Sequence, residues 1–173
     1  HMKIHPLITD SGTLAALVER LAAHDFVAVD TEFMRETTYW PKLCLIQAAT
    51  PNAEAVIDPL AEGMDLEPFL QLLRDPSIEK VFHAARQDVE IFNNLNAMPT
   101  PLFDTQLAAG YLNIGFSMGY SRLVQALLDI ELPKGETRSD WLQRPLSELQ
   151  VRYAAEDAQH LLRVDRALGE LLA

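Results

Sequence analysis

The chain has 173 residues, 25 acidic and 14 basic side chains and a formal net charge of -11. Apolar content of 49% and charged content of 23% exclude wholesale disorder, and the length suits one domain whose core needs no disulfide. The acidity argues against adhesion to nucleic acid by bulk charge, because phosphate affinity comes mainly from Lys and Arg.

Cys44 is the only cysteine, which excludes an internal disulfide and a multi-cysteine zinc site. It lies in the apolar run Leu43-Cys44-Leu45-Ile46 and reads as a buried, inert thiol. No apolar run is long enough for a bilayer, and the N-terminus lacks a basic-then-apolar export pattern. The expectation is a cytoplasmic protein with no membrane partner. His1-Met2 reads as a cloning scar, leaving residues 3–173 as a single domain.

Ser11 to Ala23 has apolar residues at helical spacing, with Ser11 as the expected N-cap. Phe26 to Asp30 reads as a buried strand. Leu43 to Ala49 and Ala55 to Asp58 are two more, joined through Pro51-Asn52 as an antiparallel hairpin. A short helix spans Leu66 to Leu73. A fourth strand, Lys80 to His83, feeds a helix from about Ala85 to Leu95. Leu102 to Asp104 is a brief fifth strand before a helix over Thr105 to Tyr111, which Asp104 can cap. Gly119 to Leu128, Leu146 to Ala155 and the stretch on to Leu172 are helical. The pattern predicts an α/β fold, a mixed five-stranded sheet flanked by helices, with ligands at the strand ends.

The carboxylates fall at those ends. Asp30 and Glu32 are two apart on one strand, so both side chains share a face. Two carboxylates on one face repel unless a cation lies between them, and hard cations such as Mg²⁺ or Mn²⁺ take oxygen ligands. Asp88 lies where the fourth strand gives way to a helix. Taken alone it is also what a helix dipole favours at an N-terminus. Tyr153 and Asp157 are four apart on one helix face. Each feature alone has an ordinary structural explanation. Jointly, the four carboxylates can converge on two divalent ions about 3.5–4 Å apart, the arrangement that stabilises an in-line phosphoryl displacement.

The order Asp30-Thr31-Glu32, then His83-Ala-Ala-Arg-Gln-Asp88, then Tyr153-Ala-Ala-Glu-Asp157 resembles the DEDD 3'-5' exonucleases of the tyrosine subtype, and among them the ribonuclease D group. Stretches 38–47, 103–106 and 134–141 extend the likeness over nearly the whole chain. The resemblance implies a ribonuclease H-like fold and two divalent ions, Mg²⁺ or Mn²⁺, held by Asp30, Glu32, Asp88 and Asp157. Tyr153 would orient the attacking water. It is a poor base at neutral pH, because a free tyrosine titrates near about 10. The implied activity is removal of nucleoside 5'-monophosphates from the 3' ends of single-stranded RNA, as in the trimming of structured RNA or tRNA. Members usually carry C-terminal helical domains of the HRDC type, and this chain stops where those would begin.

His83 and Asp88 also have the spacing of the histidine subtype's last motif. The middle aspartate would then be Asp58, Asp65 or Asp75, none in the right context, and Tyr153 with Asp157 would be unexplained. His83 is better read as a strand-end histidine that lines the site. Lys134 and Arg138, with Arg144 and Arg152 beyond, are candidate phosphate contacts. Phe33, Tyr39 and Trp40 are candidates to stack on a terminal base, and Gln106 to contact substrate.

DNA as substrate stays open, since one sequence does not reveal a contact to the 2'-hydroxyl. A silent RNA-binding module is the rival from another class, and the complete set of carboxylates argues against it. No obligate protein partner is inferred. Two divalent ions would offset part of the -11. The expectation is weak RNA binding without metal, few nucleotides engaged, and a shallow salt dependence.

Overall fold

A computed structural model of the chain describes residues 7–35, 41–133 and 139–173. Strands β1 (Leu7–Ile8), β2 (Phe26–Met34), β3 (Lys42–Thr50), β4 (Ala53–Ile57), β5 (Glu79–Phe82) and β6 (Leu102–Asp104) form one sheet of order β1-β4-β3-β2-β5-β6. The helices are α1 (Ser11–Leu21), α2 (Glu67–Arg74), α3 (Arg86–Asn94), α4 (Thr105–Tyr111), α5 (Tyr120–Leu128) and α6 (Glu148–Leu172).

The α/β expectation holds, with one correction. The sheet has six strands among the described residues, not five, because Leu7–Ile8 pairs in parallel with β4. A two-residue strand has no periodicity to read; only its partner defines it. The predicted hairpin is present as the antiparallel pair β3–β4. The antiparallel pair β2–β3 lies beside it, while β5 and β6 add in parallel. The α1 cap is also corrected. Asp10, not Ser11, is the N-cap and accepts the Thr13 N–H at 2.8 Å.

Two apolar layers sandwich the sheet. On one side Leu14, Leu17, Leu21, Phe69, Leu73 and Phe92 pack from α1, α2 and α3 onto Val27, Val29 and Ile46. On the other, α6 crosses β2, β3 and β4 and buries Ala154, Ala155, Ala158 and Leu161. The small residues of α6 let its backbone approach the sheet closely, which brings Asp157 over β2. The helix begins with a full capping box. Ser147 Oγ accepts the Gln150 N–H, and Gln150 Oε1 accepts the Ser147 N–H. No described helix is long and apolar enough to cross a membrane.

Candidate active site

Asp30, Glu32 and Asp157 each present a carboxylate oxygen such that all three lie within 4.8 Å of one another. The first two come from alternate positions of β2, as the strand period requires, and the third from the face of α6 that lies on the sheet. Glu32 faces Leu45 and Phe33 faces Leu43, so Cys44 is the extra residue of a bulge directly after the acidic pair. Asp30, Glu32 and Asp157 share a cleft of about 230 Å³ with Thr31, His83, Tyr120, Tyr153 and Leu161.

Like charges this close cannot all ionise in a desolvated site. Burial raises Asp30 well above the usual carboxylate range, and the charges of Asp157 and Asp88 raise it further. Burial and the Asp30 charge push Glu32 up to about 9, although Gln47 Nε2 donates to Glu32 Oε1 at 3.4 Å. Burial and the Glu32 charge push Asp157 up to about 7. Deeply set, acceptor-only, mutually repelling oxygens are the donor set of a hard divalent cation, and among them is no side chain that would select a soft metal.

Asp88 stands next to this cluster. It is buried in the first turn of α3 and accepts the hydroxyl of Thr31, the residue between Asp30 and Glu32. Burial pushes it up to about 6 against the lowering effect of that hydrogen bond. The start of α3 is held from β6. Asp104 accepts the N–H groups of Ala84 and Ala85, each at 2.9 Å, and caps α4 through Gln106 N–H. Ala84 has φ of 54°, a left-handed conformation costly for a residue with a Cβ. The Asp104 carboxylate thus stabilises a strained turn that aims α3, and with it Asp88, at the cleft.

Tyr153 lines the cleft one helical turn before Asp157, and its ring lies 6.3 Å from that of buried Trp141. The Tyr120 hydroxyl donates to the Asp157 carbonyl oxygen at 2.6 Å. His83 Nδ1 lies 2.8 Å from Thr105 Oγ1, and Nε2 donates to the Met118 carbonyl at 2.9 Å. With both ring nitrogens engaged, His83 lines the site as a brace. The histidine-subtype alternative also fails on the middle aspartate. Asp58 pairs with Arg144, Asp65 caps the Glu67 N–H, and Asp75 binds Ser77.

Other expectations fare unevenly. Arg144, a candidate phosphate contact, is engaged within the fold. It forks onto Asp58 at 3.0 and 3.1 Å and donates to the carbonyls of Cys44, Trp141 and Gln143. Gln106 donates to the Met118 carbonyl at 3.2 Å and lines a neighbouring cleft. Phe33 follows the bulge, half-buried. Tyr39, Trp40, Lys134 and Arg138 lie outside the described residues. Cys44 is buried as expected, and burial pushes its thiol up to about 11. Thr31, Tyr120 and Trp141 carry contacts in the site that residue patterns did not single out. The only local hint was the place of Thr31 between two acids.

A six-stranded mixed sheet thus carries an acidic cleft between β2 and α6, with Asp88 of α3 beside it, the arrangement of a metal-binding α/β domain. The chain belongs to the 3'-5' exonuclease family, whose model matches residues 6–173. It is 54% identical over 162 residues to Ribonuclease D of Zymomonas mobilis, covering 92% of this chain and 42% of that protein. It superimposes on the crystal structure of Escherichia coli RNase D, described as an exoribonuclease involved in structured RNA processing, with a TM-score of 0.91 and 42% identity over 98% of this chain and 45% of that one. The chain therefore spans less than half the length of these relatives. Brucella melitensis NrnC with bound Mg²⁺ is similar at a TM-score of 0.74 and 30% identity, over 86% of this chain and 73% of that one.

Proposed function

We propose that this domain is a metal-dependent 3'-5' exoribonuclease that shortens single-stranded RNA from its 3' end and releases nucleoside 5'-monophosphates. The observation that carries the reading is the convergence of Asp30, Glu32 and Asp157 within 4.8 Å. The RNase D relatives support RNA as substrate, and the structures of NrnC with bound Mg²⁺ and of NrnC bound to pGG support a divalent ion and a short nucleotide as ligands.

Asp30, Glu32 and Asp157 would hold one divalent ion, and Asp88, next to them, would complete the set for a second. When bound, such ions lower the pKa of water and neutralise charge on attacking and leaving oxygens. The protein's part is positioning. Thr31 fixes Asp88, Gln47 fixes Glu32, and Tyr120 anchors the α6 backbone at Asp157. Tyr153 lines the cleft beside the carboxylates, where its hydroxyl would orient the attacking water.

The test uses 5'-labelled single-stranded RNA, with and without a 3'-phosphate, in Mg²⁺ or Mn²⁺. Stepwise shortening from the 3' end is expected, abolished by chelator and by Asp30→Asn and strongly reduced in Tyr153→Phe. Internal cuts indifferent to the 3' block would exclude an exonuclease, and faster loss of the matched DNA would move the substrate to DNA. Binding without cleavage would favour a silent module.

A further inference from the structure

The most exposed large apolar side chains among the described residues gather beside this cleft. Leu107 and Tyr111 on α4 are 72% and 80% exposed, and Phe116, in the loop between α4 and α5, is 94% exposed. With Gln106, Gly110 and Ser117 they line a second cleft of about 280 Å³. Single exposed apolar residues are ordinary, but a contiguous group with aromatic members marks a contact surface.

The loop that presents Phe116 is tightly specified. Asn113 and Ser117 take left-handed conformations, with φ of 60° and 51°. The Ile114 N–H returns to the Ala109 carbonyl at 3.0 Å. Gly115 packs on Met118, and a Cβ there would lie 3.3 Å from the Met118 Cβ. The Met118 carbonyl accepts both His83 Nε2 and Gln106 Nε2. A fixed loop holding an aromatic ring in solvent has little further entropy to lose when a ligand covers it. The same shared carbonyl makes the two clefts adjoin, for His83 lines the acidic one and Gln106 the apolar one.

Charge points to the occupant. A domain of net charge -11 has little general attraction for phosphates, so affinity for a strand must come largely from its bases. Every base offers a π-face, and stacking on Phe or Tyr tolerates any sequence. We propose that Leu107, Tyr111 and Phe116 form a stacking platform for bases of the single strand whose 3' end enters the carboxylate cleft. This rests on the exonuclease reading.

Two measurements test it. Phe116→Trp places a fluorescent reporter on the exposed loop. Its emission should be quenched by an oligouridylate several nucleotides long and not by a dinucleotide. Separately, Tyr111→Ala with Phe116→Ala should raise KM for the longer strand by about tenfold per lost aromatic, with little change in kcat. Circular dichroism checks that the variants fold. Unchanged KM and unquenched emission, with wild-type shortening intact, would overturn the platform and leave the exonuclease reading standing. Quenching by the longer strand without any RNA shortening would uphold the platform and remove the exonuclease reading. Emission that changes with protein concentration alone, together with a dimer in sedimentation, would assign this face to a second copy of the chain and overturn the proposal.

Discussion

Tyr120, at the first turn of α5, donates its hydroxyl to the backbone carbonyl of Asp157 at 2.6 Å. The bond ties α5 to α6 at the residue that brings a carboxylate to β2. Tyr120→Phe removes only the oxygen. It should cost about 0.5–1.5 kcal/mol of stability. It should also lower kcat by roughly tenfold with little change in KM, within what a small misplacement of a reacting group can cost. Unfolding curves and steady-state kinetics on one short RNA check both, and an unchanged kcat would mean that α6 holds Asp157 without help.

The metal-free domain should lose stability as pH rises. Asp30, Glu32, Asp157 and Asp88 all titrate higher in the folded chain than a free carboxylate does, the last three near 9, 7 and 6. From about pH 4 upward the folded state therefore binds more protons than the unfolded state, and its stability falls until these groups ionise. Asp165, raised to about 6 by burial and by Glu79, adds to the same slope. Tm in chelator should drop between about pH 5 and pH 8. Mg²⁺ or Mn²⁺ should restore more of it at the higher pH, because bound cations displace those protons. A Tm in chelator that climbs over that range would contradict the assignment.

Asp104 holds the turn between β5 and α3 by accepting two successive N–H groups. Asp104→Ala removes both acceptors around a left-handed Ala84 and should destabilise the fold by about 1–2 kcal/mol. Ala84→Gly should stabilise it by up to about 1 kcal/mol, since glycine adopts this conformation freely. Urea denaturation measures both, and opposite signs are the expected signature of a strained turn held by one carboxylate.

Arg144 joins β3, the end of β4 and the segment before α6 through Asp58 and three carbonyls. Arg144→Met should cost about 2–4 kcal/mol, because it leaves the Asp58 carboxylate buried and unpaired. The salt dependence of RNA binding should not change, since this guanidinium serves the fold. A shallower salt slope in the variant would return Arg144 to the phosphate contacts.

Element types and most core residues were legible because hydrophobic period reports which face of a strand or helix is buried. The same rule placed Asp30 beside Glu32 and Tyr153 beside Asp157, since both pairs are set by local geometry. The joint order of the motifs further pointed to the family. Chain pattern could not reveal β1, which is defined by its partner β4, or the Asp10 cap, which is defined by where the first turn closes. Arg144 shows the limit most plainly. In sequence it is a cation on a polar loop, and its partner Asp58 lies 86 residues away. Tertiary structure alone decided that Thr31 holds Asp88, that Asp104 holds the α3 turn, and that an apolar shelf adjoins the acidic cleft. Local spacing sets the direction of a side chain. What that side chain meets depends on how distant elements pack, and the -11 charge summed along the chain does not show that three of its carboxylates share one cleft.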